Sequence, residues 1–260
     1  MEYIHGTVAE ELREMKGCAP LLFGTPEQDQ KFRKQMAMVQ AQVMSCQFPK
    51  IGSLYYSEKT SFYIGPDLET GQGPWTSSTD YYRDLAEHHL KRAATCSSGR
   101  RLSFALPLLL NYLLGKLGEE PTGPFRLVNR DFGSHNILVD ENFSIVGIVD
   151  FDSVMAAPVE VVAQYPDLSG MDVQPPGHIE ASALALERIK AVEPRLVDYK
   201  EWLTKFELEH VKSLGSDLTP IASRLRSTSA LLFTGMAKYS ALSGYQNDQW
   251  YKAASEILRA

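Results

Sequence analysis

Cysteine is scarce in this chain. Cys18, Cys46 and Cys96 are the three in 260 residues, far apart and odd in number, and no CxxC pair or Cys/His spacing suited to zinc occurs. Free thiols in a reducing compartment are expected. Excess positive charge is also absent: Lys and Arg number 26 against 32 Asp and Glu, a net charge of −6. The electrostatic footprint of a nucleic-acid binder is therefore missing, and no run of Lys or Arg offers itself to an anionic membrane. The longest apolar stretch, LSFALPLLLNYLLGKL at 102–117, contains Pro107 and Asn111. It falls short of the roughly 20 residues a membrane span needs and reads as a buried helix. The N-terminal MEYIHGTVAEELRE has acids where a secretion signal has a basic start and an apolar core. Internal repeats, low-complexity tracts, a G-x-S-x-G elbow, a G-x-G-x-x-G loop and a Walker-type G-x-x-x-x-G-K-S/T are all missing. A soluble, cytoplasmic protein with neither nucleic-acid nor membrane partners is the expectation.

What is present is an ordinary globular composition, 44% hydrophobic and 22% charged. Residues 7–16 read as a short helix. A second helix opens at Thr25-Pro26, with Thr25 as its cap and Pro26 in its first turn; Phe32, Met36, Val39 and Val43 recur along one face. Two aromatic runs, 53–57 and 61–65, flank Glu58-Lys59-Thr60 and read as a β-hairpin. Residues 65–76 are rich in Gly and Pro and make a loop. Helices are expected at about 78–95 and 100–117, strands at 137–139 and 144–149, and helices again at about 180–192, 196–213, 218–242 and 247–259, with Pro194 separating two of them. The fold class expected is α+β, mainly helical, with a small β-hairpin in the middle.

The chemistry-bearing residues gather on that hairpin. NRDFGSHN (129–136) contains the triplet DFG, with which a protein kinase holds magnesium, and also an RD followed five residues later by Asn, the spacing of a kinase catalytic loop. Asp131 cannot serve both roles. Were it the metal triplet, a catalytic Asp would lie upstream near LLNYLLGK, where there is no acid. As the base, it leaves Asn136 at the expected offset, and the hairpin 137–149 folds Asp150 back toward both. Asp131, Asn136, Asp150 and Asp152 then converge at one end of a β ribbon. Hard oxygen ligands of this kind suit Mg²⁺, completed by substrate phosphates, and Asp131 is left to accept the proton of a substrate hydroxyl. Asp152 either binds the cation or orders the loop. His135 reads as a loop-packing or capping residue, since nothing in the sequence pairs with it. His88 and His89 are adjacent and do not form an i, i+4 metal pair. The aromatics Tyr55, Tyr56, Phe62, Tyr63, Trp75, Tyr81 and Tyr82 read as core and rim packing before they read as a substrate pocket.

NRDFGSHNILVD followed by IVDFD resembles the aminoglycoside phosphotransferase/choline kinase-like family, whose pattern is roughly H-x-D-x-x-x-x-N and then I-D-F. The continuation SVMAAPVEVVAQYPDLSG and PPGHIE is similar to fungal members, for which a place in secondary metabolism is an analogy. The resemblance implies an ATP- and Mg²⁺-dependent transferase acting on a small-molecule hydroxyl. It puts Asp131 as base, Asn136 and Asp150 as metal ligands, Asp152 as the second acid, and Glu2, Tyr3 and Ile4 on the hinge that meets adenine. Asn129 stands where the family usually has His. The five-stranded N-lobe, its phosphate loop and its Lys are not found, so residues 1–260 are expected to be a single protein-kinase-like C-lobe, with 1–6 a hinge remnant and 127–153 the catalytic loop and metal-binding hairpin. A second reading follows from the missing lobe: a catalytically weak or inactive C-lobe that binds a small molecule or a protein. Self-association, or pairing with an N-lobe partner, would cover the apolar cleft side.

Overall fold

The computed structural model describes residues 4–95, 122–171, 183–214, 220–231 and 233. The helices expected at 100–117 and 247–259, and most of that at 218–242, lie outside them. The chain begins with β1 (Thr7–Val8) and α1 (Ala9–Met15), then α2 (Pro26–Ser45), β2 (Gln47–Phe48), β3 (Gly52–Ser57), β4 (Ser61–Ile64) and α3 (Ser78–Thr95). After the undescribed stretch come β5 (Phe125–Asn129), a 3-10 turn at Ser134–Asn136, β6 (Ile137–Val139), β7 (Ile145–Ile148), β8 (Val154–Ala157), α4 (Val159–Val162), α5 (Ala183–Leu214) and a second 3-10 turn at Ile221–Arg224. The fold is mixed α/β.

α2 starts as its sequence dictates. The Thr25 hydroxyl accepts from the Gln28 N–H, the Gln28 side chain accepts from the Thr25 N–H, and Pro26 opens the first turn. This reciprocal cap satisfies two amides that would otherwise be orphaned. The buried stripe is wider than the apolar residues alone. Phe32, Met36, Ala37, Ala41 and Met44 share it with Arg33 and Gln40, while Val39 and Val43 are only half-buried. Arg33, 1% exposed, pairs with Asp29 at 2.8 Å and donates to the carbonyls of Leu21 and Ser169, each at 2.8 Å. A charge that deep is tolerated because it is paired and hydrogen-bonded. The rings of Phe23, Phe32 and Phe143 cluster beside it, with centroids 4.7 to 6.5 Å apart.

α2 packs chiefly on α5. Where the sequence suggests two helices divided at Pro194, α5 runs unbroken through it. An interior proline costs about 3 kcal/mol, but Val192, Leu196, Tyr199 and Leu203 form one buried stripe across it. The Arg195 guanidinium also donates to the Ala191 carbonyl in the same turn, at 2.7 Å.

The β content exceeds a single hairpin insert. One antiparallel sheet has the order β1-β6-β7 and a second the order β2-β5-β8-β3-β4. β3 and β4 are the expected aromatic hairpin, with Tyr55 stacked on Tyr63. Residues 7–8, expected to start the first helix, instead form β1, and β2, β5 and β8 are likewise unforeseen in the sequence; β5 and β8 pair Arg126 to Asn129 with Val154 to Ala157. β5 thus delivers the chain to residue 130 while β8 carries it away from residue 153. The hairpin that precedes Asp150 is held between these two paired strands. Among the described residues no helix is long and apolar enough to cross a membrane.

Candidate active site

The site is built where β5 ends. Asn129, 8% exposed, turns its amide toward the segment after β7. Its Oδ1 accepts from the Asp131 N–H at 3.0 Å, and its Nδ2 donates to the Asp150 carbonyl at 3.3 Å. One side chain thus joins two segments that lie 19 residues or more apart in sequence. The Val149 N–H donates to the Asn136 carbonyl at 3.0 Å, so the hairpin does return Asp150 to the Asp131–Asn136 loop.

Asp131 is half-exposed, and both its carboxylate oxygens are engaged. Asn136 Nδ2 donates to Oδ2 and to the Asp131 carbonyl, each at 3.0 Å. His135 Nε2 lies 3.0 Å from Oδ1. Sequence reading assigned His135 no partner; the 3-10 turn supplies one by placing residue 135 beside residue 131. Gly133 makes room for it, since a Cβ there would stand 2.6 Å from His135 Cε1 and 3.0 Å from the Asp167 carbonyl oxygen. The loop is anchored on its other side by Ser134 N–H donating to Asp167 O at 3.1 Å and Asp167 N–H donating to Phe132 O at 2.9 Å.

Asp150 is exposed and sits at φ +58°, a left-handed conformation that Asp tolerates better than most residues. Its Oδ1 accepts weakly from the Asp152 N–H at 3.4 Å. The Asp152 side chain is exposed. Because Asn136 donates its Nδ2 to Asp131, its Oδ1 is left without a hydrogen bond among the described residues. The oxygen donors of Asn136, Asp150 and Asp152 fit a hard divalent cation in type. Among the described residues no three His, Cys, Asp or Glu side chains converge as a self-sufficient metal cluster, so a cation here would need oxygens from a substrate. That is the habit of Mg²⁺ at phosphate sites.

Of the hinge residues, Glu2 and Tyr3 lie outside the described residues. Ile4 is exposed, and its side chain covers Gly147 of β7, so it rests on the same hairpin that carries Asp150.

A cavity of about 690 Å³ adjoins Asp131, walled by α2, α3, β5, α4 and the loop after β4. Loop 65–76 therefore does more than connect. Asp67, buried, receives Arg130 at 3.2 Å and ties Thr70 through Oδ2, and Arg130 also reaches Glu69 at 3.3 Å. Arg130, between Asn129 and Asp131, thereby fastens the loop that carries Asp131 to the cavity wall. Tyr81 also faces this cavity. Burial pushes its phenol well above the usual value, with the Arg130 guanidinium pulling the other way. Trp75 and Tyr82 are core residues, as expected; the Tyr82 hydroxyl donates to Glu160 at 2.7 Å. The Arg130–Asp67 link has no signal in the sequence, because it depends on a contact between distant segments, whereas Tyr81 is one of the aromatics weighed there for a pocket as well as for packing.

A carboxylate held by an amide and an imidazole, beside further oxygen donors at the end of a hairpin, is an arrangement compatible with phosphoryl transfer. The model of the phosphotransferase enzyme family matches residues 1–161, more than half of the chain, and the chain belongs to that family. No curated protein matches it. Among solved structures, one from Ralstonia eutropha, described as "a putative aminoglycoside phosphotransferase", is 14% identical and has a TM-score of 0.42. The match covers 92% of this chain and 72% of that one.

Proposed function

We propose that the chain is an ATP- and Mg²⁺-dependent phosphotransferase that phosphorylates a hydroxyl of a small molecule in the cytoplasm. The observation that carries this is the junction made by Asn129, which fixes the Asp131 backbone and the Asp150 backbone to each other at the edge of the cavity. Asp131 orients the acceptor hydroxyl. As the acceptor oxygen bonds to the γ-phosphorus and the bond to the β–γ bridging oxygen breaks, the hydroxyl proton passes to the Asp131 carboxylate and ADP leaves. Asn136 and His135 hold that carboxylate in one orientation throughout. Asn136 Oδ1, Asp150 and Asp152 are the groups that would hold Mg²⁺, which supplies positive charge to the phosphate oxygens. In this reading residues 1–260 are one C-lobe-like unit, Glu2, Tyr3 and Ile4 lie against adenine, and 127–153 perform the chemistry.

Calorimetric titration with a non-hydrolysable ATP analogue and Mg²⁺ tests the assignment. Micromolar binding by the wild type that vanishes in Asp150→Ala is expected, while Asp131→Ala keeps nucleotide binding and loses turnover. Binding indifferent to Asp150→Ala would sink the metal assignment, and normal turnover by Asp131→Ala would sink the base. The hairpin and the residues after it also expose Val146, Val149 and Phe151, and Ile4 is exposed on β7. This apolar strip supports self-association when no nucleotide covers it, and a clean monomer at high concentration in sedimentation would argue against that.

A further inference from the structure

The lining of the cavity beside Asp131 is unevenly divided. Its carboxylates, Glu69, Asp131, Asp152 and Asp167, are exposed or half-exposed. Its buried wall is formed by apolar side chains, among them Met44, Leu85, Val128 and Val161. The polar groups on that inner wall are already engaged. Gln40 donates to the Gln164 carbonyl at 2.8 Å and accepts from the Tyr199 hydroxyl at 2.6 Å. Gln164 donates to the Glu160 carbonyl at 2.7 Å, and the Tyr165 hydroxyl donates to the Leu196 carbonyl at 3.2 Å. Tyr81 differs. It is 2% exposed, its ring packs edge-on against Trp75 at 5.2 Å, and among the described residues its hydroxyl has no hydrogen-bond partner.

The hydroxyl is not sealed off from the cavity, so water or a ligand within it is left to satisfy the group. A multiply charged sugar would have to strip water from its ammonium groups against this apolar wall, with no buried carboxylate among the described lining residues to receive them. The volume of about 690 Å³ is within the usual range for small-molecule sites, which are mostly apolar with a few placed polar groups. We infer that the cavity takes a neutral, mainly apolar alcohol rather than a polycationic sugar, and that the Tyr81 hydroxyl hydrogen-bonds a polar group on it. This inference rests on the phosphotransferase reading for the identity of the reacting hydroxyl, but the binding it asserts can be measured alone.

The test is calorimetric titration of the full chain, without nucleotide, with 2-naphthaleneethanol, 17β-estradiol and kanamycin as probes, followed by an ATP-consumption assay on each. The neutral alcohols bind and kanamycin does not. Tyr81→Phe keeps the ring packing and leaves the melting temperature unchanged or raised, yet weakens the tightest-binding alcohol about five-fold, the loss of one neutral hydrogen bond. Kanamycin binding more tightly than both alcohols, or no probe binding, overturns the inference. So does a melting temperature lowered in Tyr81→Phe, which would show the hydroxyl engaged within the fold, or an unchanged alcohol affinity. Alcohol binding without ATP consumption supports the inference and counts against the phosphotransferase reading. ATP-dependent phosphorylation of kanamycin alone does the reverse.

Discussion

Replacing Asn129 with Ala removes both of its hydrogen bonds and leaves the Asp131 N–H and the Asp150 carbonyl to find other partners. Two neutral hydrogen bonds together contribute about 1 to 3 kcal/mol net. Asp150 is exposed, so water can replace the bond to its carbonyl, and the cost falls mainly on the amide of Asp131. The expected loss is about 1 to 2 kcal/mol, which for a domain of this size lowers the melting temperature by about 4 °C. The functional loss should be larger than the stability loss. Asp150 holds φ +58°, and without the clasp it can relax toward extended backbone and carry its carboxylate away from Asn136. Affinity for an ATP analogue with Mg²⁺ should then fall about ten-fold, in line with the usual cost of losing a group that orients a metal ligand. Asn129→His restores most of both quantities, because a neutral imidazole presents one donor and one acceptor nitrogen to the same two backbone groups. Scanning calorimetry and nucleotide titration on the three proteins decide it. An Ala variant indistinguishable from wild type in both, or a His variant no better than Ala, would refute the reasoning.

Gly133→Ala forces a Cβ against the His135 ring and should cost about 1 to 3 kcal/mol as an overpacked site; in a His135→Ala background the penalty should shrink, and simple additivity in that double-mutant cycle would show that the ring is not what the glycine accommodates. Glu207, 3% exposed, accepts from Arg126 at 2.9 Å and from the Ile221 and Ala222 amides at 2.8 and 2.7 Å. Burial raises its carboxyl above the usual range, against the pull of those donors. The native state therefore holds this proton more tightly than the unfolded chain, and the group's contribution to stability falls as pH rises from the unfolded value, about 4.3, through the native one. In urea unfolding, the stability margin of wild type over Glu207→Gln should narrow over that window; a margin that widens would reverse the assignment.

The readable parts of this sequence were those with local causes. The Thr25-Pro26 helix start, the aromatic hairpin and the strands on either side of Asp140 each announce themselves within a few residues. The catalytic spacing does too, since Asp131 and Asn136 are fixed by a short turn. What escaped was decided at a distance. β8, VMAA, is buried at every position, so it has no alternation to betray a strand, and β2 is only two residues long. Pro194 reads as a break because the buried stripe that carries α5 across it is a property of the contact with α2. His135 was assigned to packing because its partner lies one turn away in space, a geometry the 3-10 conformation sets and composition does not.

The Asp67 clasp has a bearing on how such a protein could change its diet. Its carboxylate holds Arg130 on one side and Thr70 on the other, and its backbone closes the loop through Gln72 and Gly71. Leu68 and Glu69, which face the cavity, sit on a short arch whose footings are fixed by their neighbours. Substitutions at Leu68 can reshape one wall without touching the ties of the Asp131 loop, whereas substitutions at Glu69 also remove its pairing with Arg130. Under the proposed function, variation at 68 can alter what the cavity accepts while Asp131 keeps its setting, and a saturation library at that position tests this.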